Sequence, residues 1–280
     1  MQAGWISDVH LNFLTEPQVQ GYLKELVQCE VDAWLLTGDI GESRSVARFL
    51  RVLERTLPSK IYFVLGNHDF YGEKLDWVKA QVQELVSQSG CLVWLTAAGP
   101  QQLPDDVAIV GDDGWADARL GSPYLTPVEL TDFFAIADLR ELSRQELVSK
   151  LRTLGDESAC RLAPKLEEAA LTNERIFVLT HVPPFWKAAW HEGRLSDRDW
   201  VPWFTCTAVG KVLMAAAAAH PSVNFVVLCG HTHSQGECSP AHNLKVYTAG
   251  AKYGAPGLQG FINLAAVAES NGLDTLFDQM

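Results

Sequence analysis

Five short apolar stretches of the chain each end in side chains that could bind a metal ion. In chain order these side chains are Asp8 and His10, Asp39, Asn67, His181, and His231 and His233. Carboxylate oxygens, an amide oxygen and imidazole nitrogens together form a ligand set suited to Mn, Fe, Zn, Ni or Co. Seven candidates are too many for one tetrahedral zinc ion, and none is a thiolate. The set therefore suggests two metal ions bridged by a carboxylate.

The elements that must position these residues are predicted to be short buried strands. Seven apolar runs recur along the chain: GWIS, AWLLT, IYFVL, VAIV, IFVLT, NFVVLC and LKVYTAG. Continuous apolar runs of this kind are typical of strands covered on both faces. Open α/β sheets place their ligands at the carboxyl ends of strands, so we expect the seven residues to lie together.

Amphipathic stretches between these runs predict helices. Three have apolar residues at helical spacing: EPQVQGYLKELVQCE, SRSVARFLRVLERTL and KLDWVKAQVQELVSQSG. Strand–helix alternation over the first hundred residues indicates βαβ units, and the later strands have less helix between them, which indicates a second sheet. The predicted fold is α/β, a four-layer αββα sandwich of two mixed sheets flanked by helices, formed by one domain over residues 1–280.

Two segments depart from this alternation. Residues 115–172 have an almost wholly helical pattern, with Thr126-Pro127 as a helix start, and are predicted to form a helical insertion. Residues 183–204 are rich in Trp and Pro and are predicted to form an ordered loop over the site. Trp115 and His191 are predicted to border a substrate pocket, although packing is the alternative role for both.

Each candidate ligand also has an ordinary structural interpretation. Asp8 could cap a helix or sit in a turn, His181 could be a satisfied core histidine, and Gly66-Asn67 could form a tight turn. These interpretations would all have to hold at five strand ends together. The joint pattern therefore favours the metal site.

The ordered motifs resemble those of a known family. Asp8-x-His10, Gly38-Asp39, Gly66-Asn67-His68-Asp69, His181 and Gly230-His231-x-His233 together resemble the calcineurin-like metallophosphoesterases, in their small bacterial-type phosphoesterase and phosphodiesterase branch. The resemblance implies that Asp39 bridges two ions and that His68 is the acid beside the scissile group. It implies for one ion the ligands Asp8, His10, Asp39 and His233, and for the other Asp39, Asn67, His181 and His231.

The activity implied by this resemblance is hydrolysis of small phosphate mono- or diesters by two divalent or mixed-valence transition-metal ions. Two ions roughly 3.5–4 Å apart can share a hydroxide that attacks phosphorus, while His68 assists the leaving group. Two alternatives are a catalytically silent scaffold with this fold and a dinuclear hydrolase of non-phosphate esters. His68 and all seven candidate ligands are present in the sequence, which argues against the scaffold.

Two departures from the family's protein phosphatases narrow the prediction. The second motif continues as Ile40-Gly41-Glu42 instead of Asp-Arg-Gly, and the third ends in Asp69 where those enzymes have Glu. Both changes disfavour a protein serine/threonine phosphatase. Asp69 itself is predicted to orient a neighbouring imidazole or loop.

Composition bounds the partners and the compartment. The net charge of −12 disfavours binding to nucleic acid or to an anionic membrane. Six cysteines without CxxC spacing indicate reduced thiols, and the first residues lack the basic and apolar regions of a signal peptide. The predicted partner is a small-molecule phosphate ester, and the predicted location is the cytoplasm.

Overall fold

One mixed sheet contains the first strands of the chain. The computed structural model describes residues 1–265 and the backbone of residues 277–278. Within these residues the first sheet has six strands: β1, β2, β3 and β4 are parallel, β13 pairs antiparallel with β1, and β14 pairs antiparallel with β13. From edge to edge they are β14 (Phe277–Asp278), β13 (Leu258–Asn263), β1 (Gln2–Ile6), β2 (Ala33–Thr37), β3 (Lys60–Val64) and β4 (Leu92–Trp94).

A second mixed sheet is built mainly from the later strands. Its central strands β12, β10, β7 and β6 are parallel, and an antiparallel strand lies at each edge. In order they are β11 (Gly236–Ala241), β12 (Leu244–Thr248), β10 (Asn224–Cys229), β7 (Arg175–Leu179), β6 (Val107–Gly111) and β5 (Gln101–Leu103). A separate two-stranded ribbon pairs β8 (Trp190–His191) with β9 (Arg194–Leu195).

Helices cover the outer faces of both sheets. The described residues form the helices α1 (Glu16–Val27), α2 (Val46–Thr56), α3 (Leu75–Ser87), α4 (Asp132–Ala135), α5 (Arg144–Ala170), α6 (Val201–Phe204) and α7 (Thr207–Ala219). Helices α1–α3 pack with the outer face of the first sheet, and α5 and α7 pack with that of the second. The predicted αββα sandwich is therefore confirmed.

Alternation of side chains along each strand creates the layers, because successive residues of a strand point to opposite faces. On β2, Leu35 faces the second sheet, and its neighbour Leu36 packs against the helices. On β7, Phe177 lies between the sheets and Val178 packs against α5 and α7. Both faces are buried, which explains why these strands read as continuous apolar runs.

The segment 115–172 is less helical than its pattern predicts. The Thr126-Pro127 helix start is wrong: residues 126–130 are irregular, α4 covers only Asp132–Ala135, and the long helix begins at Arg144. The Thr126 hydroxyl donates to the Asp199 carbonyl and accepts from the Val128 N–H, which holds the segment as a loop. The long helix has its own start signal, a capping box between Ser143 and Glu146.

Two further features bear on the sequence predictions. All six cysteines are free thiols, as the absence of CxxC spacing predicts. Among the residues described, none of the helices combines the length and the apolar character needed to cross a membrane.

Candidate metal centre

The first group of candidate ligands converges within a few ångströms. Asp8, His10, Asp39 and His233 each offer a ligand atom, and these atoms all lie within 4.8 Å of one another. The His10 and His233 Nε2 atoms are 3.2 Å apart, and His233 Nε2 is 3.5 Å from Asp8 Oδ1. Converging imidazole and carboxylate donors of this kind suit a first-row transition-metal ion.

A second group converges beside the first and shares one carboxylate with it. His181 Nε2 lies 3.4 Å from Asp39 Oδ2 and 3.0 Å from the Asn67 Oδ1. The same amide oxygen is 2.9 Å from His231 Nδ1. Asp39 also reaches the first group, since its Oδ2 is 3.6 Å from His10 Nε2. The donors therefore fit two ions that share Asp39.

The fold delivers these ligands from both sheets. Asp8, Asp39 and Asn67 follow β1, β2 and β3 of the first sheet, whereas His181 and His231 follow β7 and β10 of the second. The strands are parallel within each sheet, and the 3.4 Å approach of His181 to Asp39 shows that the carboxyl ends of both sets lie at the same edge of the sandwich. Candidate ligands far apart in the chain are thereby brought together.

Several of these residues have strained backbones. The φ angles are positive at Asp8 (49°), His10 (40°), Asp39 (54°), His231 (74°) and His233 (58°). A left-handed conformation in a residue other than glycine costs of order 1–3 kcal/mol and is concentrated at functional sites. Five of the seven candidate ligands therefore have a backbone conformation that most residues avoid.

Two glycines make the close approach of these loops possible. A Cβ at Gly66 would collide with the carboxylate and the backbone N–H of Asp39. A Cβ at Gly230 would collide with the Asp8 carboxylate and the Ser7 hydroxyl. The glycines in the third and fifth motifs are thus required by space.

Burial and the neighbouring carboxylates set the protonation of the histidines. Burial lowers the pKa of His10 and of His231 to about 4, so both rings are neutral and can bind a metal through nitrogen. Burial also opposes charge on His181, but the Asp39 carboxylate outweighs it and raises the His181 pKa to about 10. In return, His181 holds the pKa of Asp39 well below its usual value despite burial.

His68 lies beside the ligands and faces the pocket. Its backbone N–H donates to Asp39 Oδ1 over 2.9 Å, and its ring stacks on Tyr71 with centroids 4.2 Å apart. Its Nε2 is 3.4 Å from the Tyr253 hydroxyl. This ring is therefore placed at the edge of the centre, where it can reach a bound molecule.

Asp69 contacts backbone groups. Its carboxylate is fully buried and accepts N–H bonds from Ile40, Gly41 and Gly66, at 2.9, 2.8 and 2.9 Å. It fixes the loops that follow β2 and β3. Of the two roles predicted for Asp69, orienting an imidazole or orienting a loop, these contacts fit the second.

A pocket of about 210 Å³ opens beside both ligand groups. His191, one of the two predicted substrate contacts, lies in its wall. The other, Trp115, is 5% exposed, packs against Phe70, and borders a smaller adjoining cavity with Asn67 and His231. The pocket is lined by Asp39, Asn67, His68, Tyr71, Leu130, Thr131, Asp132, His191, Phe204, His231, Thr232, His233 and Tyr253.

Sequence reasoning did not single out seven of these lining residues, among them Asp132 and Tyr253, which both contact candidate ligands. Asp132 is 7% exposed and accepts hydrogen bonds from Asn67 and Tyr71. The Tyr253 ring packs against His10, with centroids 4.6 Å apart, and against His233. Neither residue belongs to a strand-end motif, so the sequence held no local signal for them.

Comparison with known proteins agrees with this fold and site. The calcineurin-like phosphoesterase family matches residues 1–235. The chain therefore belongs to the calcineurin-like phosphoesterase family, whose members typically bind two metals. No curated protein matches the chain.

Solved structures share the fold at low sequence identity. The phosphopantetheinyl hydrolase PptH of Mycobacterium tuberculosis has a TM-score of 0.62 and 14% identity, covering 89% of each chain. A dimetal phosphatase from Danio rerio has a TM-score of 0.55 and 14% identity, covering 89% of this chain and 87% of its own. The protein TT1561 of Thermus thermophilus has a TM-score of 0.53 and 16% identity, covering 89% of this chain and 88% of its own. These likenesses establish a common fold.

Proposed function

We propose that the chain is a dinuclear metal-dependent phosphohydrolase of small phosphate esters. The observation that carries this proposal is the convergence of two donor groups on the shared carboxylate of Asp39, beside a pocket that contains His68. Asp8, His10, Asp39 and His233 would hold one ion, and Asp39 would share the other with Asn67, His181 and His231. Such a pair of ions supplies a nucleophilic hydroxide at neutral pH and neutralises phosphoryl oxygens.

His68 is the residue of this chain proposed to act on the leaving group. Its imidazole faces the pocket, and its position is fixed by the Tyr71 ring and by the backbone bond to Asp39. An imidazole there can donate a proton to the departing oxygen or stabilise the charge that develops on it.

The charges around the pocket favour a diester over a monoester. Among the described residues that line it, none is Lys or Arg, and Asp132 adds a carboxylate. A phosphate monoester has about 1.5–2 negative charges at pH 7, whereas a diester has one. No Lys or Arg of this lining would offset the second charge of a monoester, and the Asp132 carboxylate would repel it, so the protein groups around the metals penalise a monoanionic substrate less.

The helical insertion (115–172) and the aromatic loop (183–204) both contribute to the pocket wall. Leu130, Thr131 and Asp132 come from the helical insertion, and His191 and Phe204 come from the aromatic loop. With Tyr253, they give the pocket an aromatic and partly apolar lining, which suits a compact organic group on the phosphate. The proposed partner is a small molecule, neither a nucleic acid nor a membrane, and the proposed location is the cytoplasm, both as the sequence predicts.

Hydrolysis by metal-stripped protein, with Mn²⁺ then added back, tests the proposal. The substrates are bis(p-nitrophenyl) phosphate, p-nitrophenyl phosphate and p-nitrophenyl acetate. We expect metal-dependent release from the diester, slower release from the monoester and none above background from the acetate.

Each of the other outcomes contradicts a particular part of the proposed function. Faster release from the monoester would overturn the diester preference, and metal-dependent release from the acetate alone would favour the non-phosphate hydrolase. Two bound metals per chain with no hydrolysis would favour the scaffold. If the chain binds no metal and hydrolyses none of the substrates, the central proposal is overturned.

A further inference from the structure

A buried carboxylate of the insertion reaches into the metal centre without being one of its candidate ligands. Asp132 begins α4 and is 7% exposed. Its Oδ1 accepts a hydrogen bond from Asn67 Nδ2 at 2.8 Å and another from the Tyr71 hydroxyl at 2.5 Å. A buried carboxylate needs such donors, and both donors here belong to residues at the candidate centre.

The first of these bonds decides which end of the Asn67 amide faces the histidines. Only the amide oxygen can bind a cation, because the NH₂ group is a donor. Asn67 Oδ1 lies 3.0 Å from His181 Nε2 and 2.9 Å from His231 Nδ1, while Nδ2 points the other way to Asp132. A carboxylate accepts from NH₂ and would repel the amide oxygen, so Asp132 disfavours the flipped amide.

The hydrogen bond from Tyr71 to Asp132 fixes the aromatic ring on which His68 stacks. Tyr71 donates its hydroxyl to Asp132, and its ring stacks on the His68 ring at an interplanar angle of 25°. Without the hydroxyl anchor the Tyr71 ring can tilt, and the imidazole stacked on it can tilt too. One carboxylate is therefore linked both to a ligand of the second ion and to the proposed proton donor.

We propose that Asp132 is a positioning residue that orients Asn67 for metal binding and, through Tyr71, orients His68. The proposal rests on the proposed function, because it assigns Asn67 as a ligand and His68 as the acid. Asp132 lies in the helical insertion. This family member would therefore complete its metal centre with a segment outside the strand-end motifs.

The test compares Asp132→Ala, Asp132→Asn and Tyr71→Phe with the unaltered chain. Bound Mn²⁺ is measured by titration and elemental analysis, and kcat and KM are measured with bis(p-nitrophenyl) phosphate. Loss of a hydrogen-bonding partner of a ligand typically weakens metal binding about 10- to 100-fold. For Asp132→Ala we expect that loss for one ion only, with the other retained.

The two other variants separate positioning from a general structural role. The Asp132→Asn side chain keeps an oxygen that can accept both bonds, so we expect it to restore the second ion to within a few-fold. Tyr71→Phe keeps the stacked ring but removes the anchor, so it should retain both ions and lower kcat more than it changes KM. Asp138→Ala is the matched control, since this insertion carboxylate caps the Leu75 N–H instead; it should leave metal binding unchanged.

Unchanged metal binding in Asp132→Ala would overturn the proposal, as would equal losses in the Ala and Asn variants. If Asp132→Ala fails to fold, unchanged kcat in Tyr71→Phe together with full metal loss in Asp132→Asn overturns it instead. An unaltered chain that binds two ions but hydrolyses nothing would refute the proposed function while leaving the Mn²⁺ test of Asp132 in force.

Discussion

His68 and its neighbours His10 and His233 lie in one cluster but have different surroundings. The Nε2 atoms of His10 and His233 lie close to carboxylate oxygens, at 3.6 and 3.5 Å. His68 Nε2 instead faces the Tyr253 hydroxyl and the pocket. A ring among carboxylates is suited to hold a cation, whereas a ring facing the pocket is suited to act on a substrate.

Substituting His68 with alanine should separate these two roles. We expect His68→Ala to bind both metals as the unaltered chain does but to lower kcat by about 10²–10⁴, the range for a lost acid–base group. Elemental analysis and hydrolysis of bis(p-nitrophenyl) phosphate provide the two readouts. His242→Ala, at an exposed histidine, is the control and should change neither. Full activity in His68→Ala would exclude the acid role.

A second residue-scale prediction concerns the space at Gly66. An added Cβ would meet the Asp39 backbone N–H at 2.5 Å as well as its carboxylate, and neither can move without displacing the shared ligand. We expect Gly66→Ala to weaken metal binding by about tenfold or more and to destabilise the fold by about 1–3 kcal/mol.

The control for this substitution is Gly90→Ala, where an added Cβ would meet open space. Metal titration and thermal unfolding of both variants check the prediction. If Gly66→Ala behaves like Gly90→Ala in both measurements, the loops have more freedom than their contacts indicate.

At the scale of elements, the strands buried on both faces were predictable and the remaining strands were not. The seven apolar runs correspond to β1, β2, β3, β6, β7, β10 and β12, because burial on both faces leaves a continuous apolar signal. The edge strands β5 and β11 read QQL and GECSPA. Their pairing depends on backbone hydrogen bonds to a neighbouring strand, which side-chain patterns do not reveal.

The same contrast holds for the site. Strand-end residues such as Asp39 and His181 were predictable, since parallel strands bring their carboxyl ends to one edge. Asp132 lies 65 residues from Asn67, and Tyr253 lies 185 residues from His68. No spacing rule connects residues in an insertion or a late loop to a strand end, so only the folded chain brings them together.

An element-scale prediction concerns how the long helix α5 is attached to the second sheet. Its Arg161 donates to Asp112 after β6 through two bonds, Nε to Oδ2 at 2.7 Å and Nη2 to Oδ1 at 3.1 Å. Asp112 is fully buried and Arg161 is 33% exposed. We expect Arg161→Met to destabilise the protein by about 2 kcal/mol, below the 3–5 typical of a wholly buried pair, because solvent screens this one.

Urea unfolding measures this cost. Arg51→Met, at an exposed position of α2, is the matched control and should stay within about 0.5 kcal/mol of the unaltered chain. Equal stability of the two variants would mean that the ion pair adds nothing to the attachment of α5.

For the whole molecule, the candidate metal centre lies where the two sheets meet. Asp39 follows β2 of the first sheet and His181 follows β7 of the second, and their side chains lie 3.4 Å apart. Bound metals would therefore join the two halves of the sandwich through shared ligands. They would also offset part of the net charge of −12, some of which is concentrated in the buried carboxylates of the centre.

Metal removal should accordingly lower the stability of the whole fold. A ligand at 100 times its Kd stabilises the native state by about 2.7 kcal/mol per site, which for a chain of this size corresponds to about 5–10 °C in Tm. We expect exhaustive chelation to lower Tm by at least this amount and added Mn²⁺ to restore it. Asp39→Asn is the informative comparison, since a chain without the shared carboxylate should unfold at nearly the same temperature with and without Mn²⁺. If neither the chelator nor added Mn²⁺ changes the Tm of the unaltered chain, bound ions do not join the two sheets.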